Sequence, residues 1–367
     1  MTRSLPVLMY HYISRFTNSI AVHPERFEAH LKGMNACGWR GIGLDEAEHY
    51  LAEGRALPKK SLLITFDDGF LDNYVYAWPL LQQYGHKGVI FAATGRLEAA
   101  AAPRPTLADV RAGTLKQEHL PRVDQPFVKH RLGFEERHDH FINWNEARLM
   151  EESGVMRIAA HSVQHHAVFA GPDFEGFHAP GHRGRTFDRV HGKVVWGTPR
   201  FKERPELFSR AFVPAPELVA AIGNLVPQDK AGAYAFFQDA ERVAQLEKLI
   251  QNFKDAGTLG SYETDEARTA RMQQVFATCK QQLEHELGHS VTSFCWPWGN
   301  HCEEALTLGK KAGFKVFFKT SMGANPPASP DRVNRFKVKD KDWNWLRLRL
   351  AIYSRPWAAD LYARVRL

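Results

Sequence analysis

The feature that most constrains the fold is an alternation of short apolar runs with amphipathic segments in the first half of the chain. One run, SLLITF, is apolar on both faces, as in a parallel sheet covered by helices. The predicted strands are 5–13, 61–66, 87–95 and 156–162, and the predicted helices are 23–39, 44–54, 72–85 and 143–155. This alternation predicts an α/β fold with parallel strands.

Composition is that of an ordinary globular protein, since 44% of the 367 residues are hydrophobic and 24% are charged. No run approaches the 18 uninterrupted apolar residues of a membrane-spanning helix. The start MTRSLPVLMYHYIS is typical of a strand, not of a secretion signal, and we expect a cytoplasmic protein. No CxxC spacing occurs, which predicts free thiols at Cys37, Cys279, Cys295 and Cys302.

The second half of the chain suggests an interrupted domain. Strong helical patterns cover 239–257 and 264–288, and an apolar strand follows at 290–296, whereas 171–233 has no clear period. We predict one catalytic domain, 1–336, interrupted by a largely helical or irregular insertion at 171–263. Long irregular segments in a compact domain are usually functional, so the insertion is expected to be a lid or an acceptor-binding element. Residues 337–367 form a basic and aromatic tail.

Chemistry-bearing residues follow several strands. The run SLLITFDDGF ends on Asp67 and Asp68, which could form a turn or could divide metal binding from proton transfer. The run AAHSVQHHAV contains His161 and His165, which would face one side and bind one ion if a helical turn began at Ser162; His166 is the alternative second ligand.

Two further residues stand at strand ends. The aromatic turn SFCWPWGNH, which contains Trp298, could wall a sugar site or pack on the core, and His11 could be catalytic or a core histidine. In α/β barrels the carboxyl ends of the strands assemble the site, so all these residues can converge.

The ordered motifs TFDDG, HSVQH and FCWPWG resemble those of polysaccharide deacetylases of the NodB-homology group, carbohydrate esterase family 4. The N-terminal YH segment is similar to that of the poly-N-acetylglucosamine deacetylases. The resemblance covers 5–170 and 265–336, and it implies a distorted (β/α)7 barrel.

The resemblance also implies roles for the residues. Asp68, His161 and His165 would hold a divalent metal, most simply zinc, with nickel or cobalt as alternatives. Asp67 would be the catalytic base, His11 the general acid, and the backbone N–H of Trp298 an oxyanion donor.

The sequence departs from the family pattern at two places. The arginine that often pairs with the base is replaced by Cys295, and Arg335 could compensate, although a surface ion pair is an equal alternative. The C-terminal histidine motif that usually carries the acid is absent, which leaves His11 as the acid.

The implied activity is metal-dependent hydrolysis of an N-acetylhexosamine acetamide in a glycan. The net charge of +7 and the Arg, Trp and Tyr residues of the tail, Arg347 and Arg349 among them, favour an anionic membrane surface as a partner. A terminal helix packed on the barrel is the alternative for the tail. We expect a lipid-linked or lipopolysaccharide-core precursor at the inner face of the cytoplasmic membrane.

A second functional class is a catalytically silent barrel that binds glycan or assembles with glycosyltransferases. The intact acidic and histidine motifs argue against it. The charge would also permit nucleic-acid binding, but no motif for it is present, and we do not expect that partner.

Overall fold

A computed structural model describes residues 3–130, 133–136, 138–180 and 195–366. The part of the predicted insertion at 181–194 and the last residue of the predicted tail lie outside the described residues. Within them, no helix has the length and apolar character that crossing a membrane requires.

The helices agree closely with the spacing in the sequence. They are α1 (Pro24–Ala36), α2 (Leu44–Glu53), α3 (Trp78–Tyr84), α4 (Leu107–Arg111), α5 (Trp144–Glu152), α6 (Pro216–Leu225), α7 (Lys230–Gln238), α8 (Ala240–Asp255), α9 (Asp265–Leu287), α10 (Glu303–Lys311), α11 (Trp343–Tyr353) and α12 (Pro356–Arg366). Side chains immediately before the first residues explain several boundaries: Asn143 caps α5, Asp239 caps α8 and Thr264 caps α9 by accepting backbone N–H bonds.

The strands are mostly short. They are β1 (Val7–Tyr10), β2 (Tyr12–Ile13), β3 (Ala21–Val22), β4 (Arg40–Gly41), β5 (Ser61–Asp68), β6 (Gly88–Ala92), β7 (Phe127–His130), β8 (Gly133–Glu136), β9 (Met156–Ala160), β10 (Ala167–Phe177), β11 (Pro199–Pro205), β12 (Phe212–Pro214), β13 (Gly260–Tyr262), β14 (Ser293–Cys295), β15 (Val316–Phe318) and β16 (Phe336–Lys337).

A curled parallel sheet forms the centre of the molecule. Its order is β15-β14-β9-β6-β5-β1-β16, with β4 paired to the start of β5. All eight residues of β5 are buried, because helices cover the outer face and side chains fill the interior. The predicted barrel of parallel strands and helices is confirmed.

The two edges of this sheet meet along a seam, which we define as residues 333–336. Val333 pairs with β15, and its N–H donates to the Phe317 oxygen at 2.9 Å. Three residues later, Phe336 pairs with Leu8 of β1. One short segment therefore closes the barrel.

The predicted insertion has its own apolar core and more strand than expected. An antiparallel ribbon of β10 and β11 begins at Ala167 and is followed by the β12–β13 pair and helices α6 to α8. The second core is built from Phe169, Phe177, Phe201, Phe212, Leu218, Ile222, Val226, Ala233, Phe236, Leu246, Ile250 and Leu259. The expectation of a largely irregular 171–233 is wrong where these strands form.

The tail is two helices packed beside α1. The first residue of α11, Trp343, lies so close to Gly33 of α1 that a Cβ there would be 2.2 Å from the indole ring. The Ser354 oxygen accepts a bond from Ser4, just before β1, so the junction of α11 and α12 lies at the amino end of the strands.

Candidate active site

The predicted site residues meet at the carboxyl ends of the central strands. His11 follows β1, Asp67 and Asp68 end β5, and His161 follows β9. Parallel pairing of β5 with β6 and of β6 with β9 brings these ends level, with Asp68 opposite Ala92 and Ala92 opposite Ala160. This is the edge at which α/β barrels carry their sites.

Three buried side chains form a candidate metal centre. Asp68 Oδ1 lies 3.4 Å from His161 Nε2 and 3.8 Å from His165 Nε2. Their potential ligand atoms all lie within 4.8 Å of one another. Within the described residues Asp68 Oδ1 accepts no hydrogen bond, although it is buried, so its lone pairs are available to a cation.

The orientation of the histidines suits a metal, since the Nε2 atoms of both rings face Asp68 Oδ1. His161 Nδ1–H donates to the Cys295 carbonyl oxygen at 2.8 Å, which directs Nε2 towards Asp68. Burial lowers the pKa of His161, but Cys295 and Asp68 outweigh it and raise that pKa well above 6.5, so a metal at Nε2 would take the place of a proton. Burial, followed by the neighbouring His161, lowers the pKa of His165 to about 3 and keeps its imidazole neutral. One carboxylate and two imidazoles, both neutral once a metal has displaced the His161 proton, fit zinc, cobalt or nickel, and leave positions for water and substrate.

The loop that carries the histidines is not the helical turn that we predicted. Ser162 and His165 have φ angles of 64° and 54°, in the left-handed region, and the His165 N–H donates to Ser162 Oγ at 3.0 Å. This loop brings the two imidazole centroids to 4.8 Å. His166 is outside the metal-compatible group, so the geometry favours His165 as the second histidine.

Asp67 is held by a buried arginine. Arg335 Nη1 and Nη2 lie 2.6 Å and 2.8 Å from the two carboxylate oxygens, and Nη1 also reaches Thr65 Oγ1 at 3.2 Å. Arg335 is 1% exposed, which excludes the surface ion pair that we kept as an alternative. Burial raises the pKa of Asp67, but the Arg335 charge outweighs it and holds that pKa well below its usual range.

Cys295, which stands where the resemblance led us to expect an arginine, contacts this pair. Its Sγ lies 2.9 Å from Arg335 Nη2. The guanidinium therefore arrives from the seam, 268 residues after Asp67 in the chain, and occupies the space beside a small side chain.

His11 faces the same carboxylate. Its Nε2 lies 3.9 Å from Asp67 Oδ2, and 18% of its side chain is exposed. Burial lowers its pKa, while the charges of Asp67 and Asp68 oppose that shift. Asn73 Nδ2 donates to the His11 oxygen at 2.9 Å and fixes the backbone there.

Trp298 forms one wall of the site. Its φ is 53°, its indole lies edge-on to His165 with ring centroids 4.1 Å apart, and 36% of the residue is exposed. Gly299 follows with φ 76°, and a Cβ there would be 2.0 Å from Thr320 Oγ1. Its role as an oxyanion donor stays a prediction.

Glu206 and Arg271 join the site region from elements that sequence reasoning did not connect to it. Glu206 is buried beside His166, and burial raises its pKa to about 7 against the opposing effects of Arg271 and the His166 N–H. Arg271 of α9 forms an ion pair with Glu263 at 2.6 Å. No local motif marks these residues, because their contacts are long-range.

The fold and the site together define a class of protein: barrels that carry an Asp-Asp pair and two histidines at the carboxyl ends of their strands. Residues 54–177 match the family model described as polysaccharide deacetylase. YxkH of Bacillus subtilis (strain 168), named as a polysaccharide deacetylase, is 45% identical over 87 residues, which is 24% of this chain. The match spans 31% of that relative's length.

Solved structures share the fold across almost the whole chain. The de-N-acetylase from Aggregatibacter actinomycetemcomitans superposes with a TM-score of 0.59 at 15% identity, covering 94% of this chain and 99% of its own. The BpsB deacetylase domain from Bordetella bronchiseptica gives 0.56 at 20%, covering 91% and 95%. IcaB from Ammonifex degensii gives 0.54 at 17%, covering 95% and 97%.

The family match over residues 54–177, which contain the Asp pair and both histidines, agrees with the resemblance to the NodB-homology polysaccharide deacetylases that the motifs carry.

Proposed function

We propose that this chain is a metal-dependent N-deacetylase that hydrolyses the acetamide of an N-acetylhexosamine in a glycan. The observation that carries the proposal is the contrast between two adjacent carboxylates. Asp67 is neutralised by Arg335, whereas Asp68 faces His161 and His165. Such a division suits one carboxylate for proton transfer and the other for metal binding.

Asp68, His161 and His165 would hold the cation, which when bound would lower the pKa of a water molecule and withdraw electron density from the acetyl carbonyl. Asp67 accepts the proton of the water that attacks the carbonyl carbon. The N–H of Trp298 donates to the carbonyl oxygen as negative charge develops. Protonated His11 donates to the amine nitrogen as the C–N bond breaks, giving acetate and a free amine.

Two substitutions in the Asp pair test this division. Asp68→Ala should lose both bound metal and acetate release. Asp67→Asn should keep the metal but lose roughly 10²- to 10⁴-fold in kcat, the usual contribution of a positioned base. Asp173→Ala, on an exposed residue of β10, is the matched control.

The measurements are metal content by elemental analysis and acetate release from N-acetylated oligosaccharides and lipid-linked glycans. If wild type binds no metal after loading with zinc, nickel and cobalt, the result would contradict the proposal and favour the catalytically silent barrel. Metal with formate release would change the acyl group only.

We further propose a membrane-borne acceptor, a lipid-linked or lipopolysaccharide-core precursor, with the insertion as lid or acceptor-binding element. The support is the point at which the insertion leaves the barrel. β10, which leads into the insertion, starts two residues after His165, so the insertion adjoins the loop 161–165, which we call the metal loop. Comparing kcat/KM for a lipid-linked N-acetylhexosamine and for the same free sugar tests it; equal values would contradict a lipid-linked acceptor.

An exposed apolar ridge supports contact with the inner face of the cytoplasmic membrane. We define the ridge as Trp357, Leu361 and Val365, successive positions on one face of α12, which are 70%, 56% and 77% exposed. Exposed arginines at 355 and 364 flank it. Apolar residues flanked by arginines suit an interface rich in anionic lipid.

The ridge differs in part from the membrane-binding surface that we predicted from sequence, which included Arg347 and Arg349. Arg349 lies 3.9 Å from the Trp345 ring centroid and donates to the Tyr362 hydroxyl at 3.4 Å, so it serves packing between α11 and α12. Arg347 is exposed and remains available.

Vesicle sedimentation tests the ridge. Wild type should co-sediment with vesicles containing 30% anionic lipid, and the double variant Trp357→Ser with Leu361→Ser should lose most of that binding, because the apolar contact is gone. Leu225→Ser, which alters a 50% exposed leucine of the insertion, should bind like wild type. Wild type that stays in the supernatant would contradict the membrane proposal.

A further inference from the structure

His165 stands in a conformation that needs support from its surroundings. Its φ of 54° lies in the left-handed region, which is unfavourable for a residue with a Cβ. On one side, the metal loop is held by β6 and the turn after it: the Thr94 and Gly95 N–H groups donate to the Ser162 and Val163 oxygens at 3.2 Å and 2.7 Å. The other side of the loop runs directly into the insertion.

Glu206 holds that other side from within the insertion. Its backbone N–H donates to the His166 oxygen at 3.2 Å, and its carboxylate accepts a bond from the His166 N–H. The contact extends the β10–β11 ladder, in which Ala167 pairs with Pro205. Glu206 is 2% exposed, so these bonds are protected from water.

Glu206 is in turn fixed to the barrel. Arg271 Nη1 donates to the backbone oxygen of Glu206 at 2.5 Å, and Nη2 donates to the backbone oxygen of Ser209 at 3.3 Å. Arg271 belongs to α9, which packs against β9 and α5 of the barrel. The chain of contacts runs from a barrel helix through the insertion to the residue after a proposed metal ligand.

We propose that Glu206 is a positioning residue for His165, so that the folded insertion helps to determine the metal affinity of the barrel. This inference rests on the proposed ligand set. Loss of the Glu206 carboxylate would free the His166 N–H and allow His165 to leave the left-handed conformation. Metal binding would then have to restore that conformation.

Metal affinity is the first test. Glu206→Ala should bind cobalt or zinc about 10- to 100-fold more weakly than wild type in competition with a chromophoric chelator, the usual effect of removing a group that orients a ligand. Glu206→Gln should stay within about threefold, because its amide oxygen still accepts the N–H. Glu247→Ala, on an exposed residue of α8, should match wild type.

At saturating metal, Glu206→Ala should recover most of its kcat, a result that a directly catalytic residue would not give. Wild-type affinity in a folded Glu206→Ala would overturn the inference. If wild type itself binds no metal, the proposed function fails, which is a separate outcome.

Hydrogen exchange on wild type tests the same coupling without a substitution. Metal at 100 times its Kd should slow exchange of the Glu206 N–H by up to about 100-fold if opening of this contact releases the metal. The Ala215 N–H, which bonds to the Leu259 oxygen elsewhere in the insertion, should be unaffected. Unchanged exchange at Glu206 on metal binding would overturn the inference even if Glu206→Ala does not fold.

Discussion

Two neighbouring aspartates have different surroundings because a strand alternates its faces. Asp67 lies on the same face of β5 as Thr65, and Arg335 contacts both. Asp68 has a φ of 81°, which ends the strand and directs its carboxylate towards the histidines. A turn at Asp-Asp-Gly and two carboxylates with different partners are therefore both present.

Removing the arginine should change the pH dependence of activity. The Arg335 cation stabilises ionised Asp67 and lowers its pKa, so Arg335→Gln should raise that pKa. Because the base must be ionised, the acidic limb of the kcat/KM profile should move to higher pH by about one unit or more.

Profiles of acetate release between pH 4 and 9 measure this shift. Arg332→Gln removes an exposed arginine three residues earlier and should leave the limb in place. An unmoved acidic limb in a folded Arg335→Gln would argue against Asp67 as the base.

At this scale the sequence predicted which residues lie at the strand ends, but not the geometry of their contacts. The aspartates, both histidines and His11 all lie at strand ends, since an apolar run followed by a polar residue is a local signal. The Arg335 contact could not be predicted, because it joins positions 268 residues apart. The loop at 161–165 could not be predicted either, since its left-handed residues are neither glycine nor asparagine.

Among the elements, periodicity identified helices well and the insertion poorly. In α11, the sequence LRLRL alternates with period two, yet it is helical because Leu346 and Leu350 lie one turn apart on the buried side. The β10–β11 ribbon was missed because register shifts between Phe169 and Gly176 interrupt its alternation. Packing on neighbours determines both outcomes.

Two helical glycines should respond oppositely to alanine. Gly33→Ala places a Cβ 2.2 Å from the Trp343 ring, and the overpacking should outweigh the gain in helix propensity, giving a net loss of about 1–3 kcal/mol. Apart from its chain neighbours and its own helix backbone, no atom of the described residues lies within 4 Å of such a Cβ at Gly223 of α6, so Gly223→Ala should stabilise by about 0.4–1 kcal/mol.

Urea unfolding followed by circular dichroism measures both free energies. Limited proteolysis of Gly33→Ala should also show earlier cleavage in the tail, because α11 can no longer pack closely against α1. A stabilised Gly33→Ala would show that the close approach of α1 and α11 is wrong.

At the scale of the whole molecule, stability should fall in mild acid. His30 of α1 is buried, its Nε2–H donates to the Lys341 oxygen at 2.8 Å, and its Nδ1 lies 3.2 Å from the Tyr10 hydroxyl. Burial lowers the pKa of His30 to about 4 from 6.5. The unfolded chain therefore takes up the proton first, and stability is lost as pH falls from 6.5 towards 4.

His30→Gln removes this proton uptake. Between pH 7.5 and 5, wild type should lose roughly 2 kcal/mol more unfolding free energy than the variant. Urea titrations with a chelator present measure the difference. His285→Gln alters an exposed histidine of α9 and should follow wild type; equal pH slopes for wild type and His30→Gln would contradict the prediction.

The seam at 333–336 links closure of the barrel to the surroundings of Asp67. The segment that joins the two sheet edges also carries Arg335, whose guanidinium orients the Asp67 carboxylate and stabilises its ionised form. A ring left open at this point would lack that cation beside Asp67, however well the other strands had formed. Under the proposed function, the activity of a refolding or partly denatured sample would report only the molecules in which the barrel has closed.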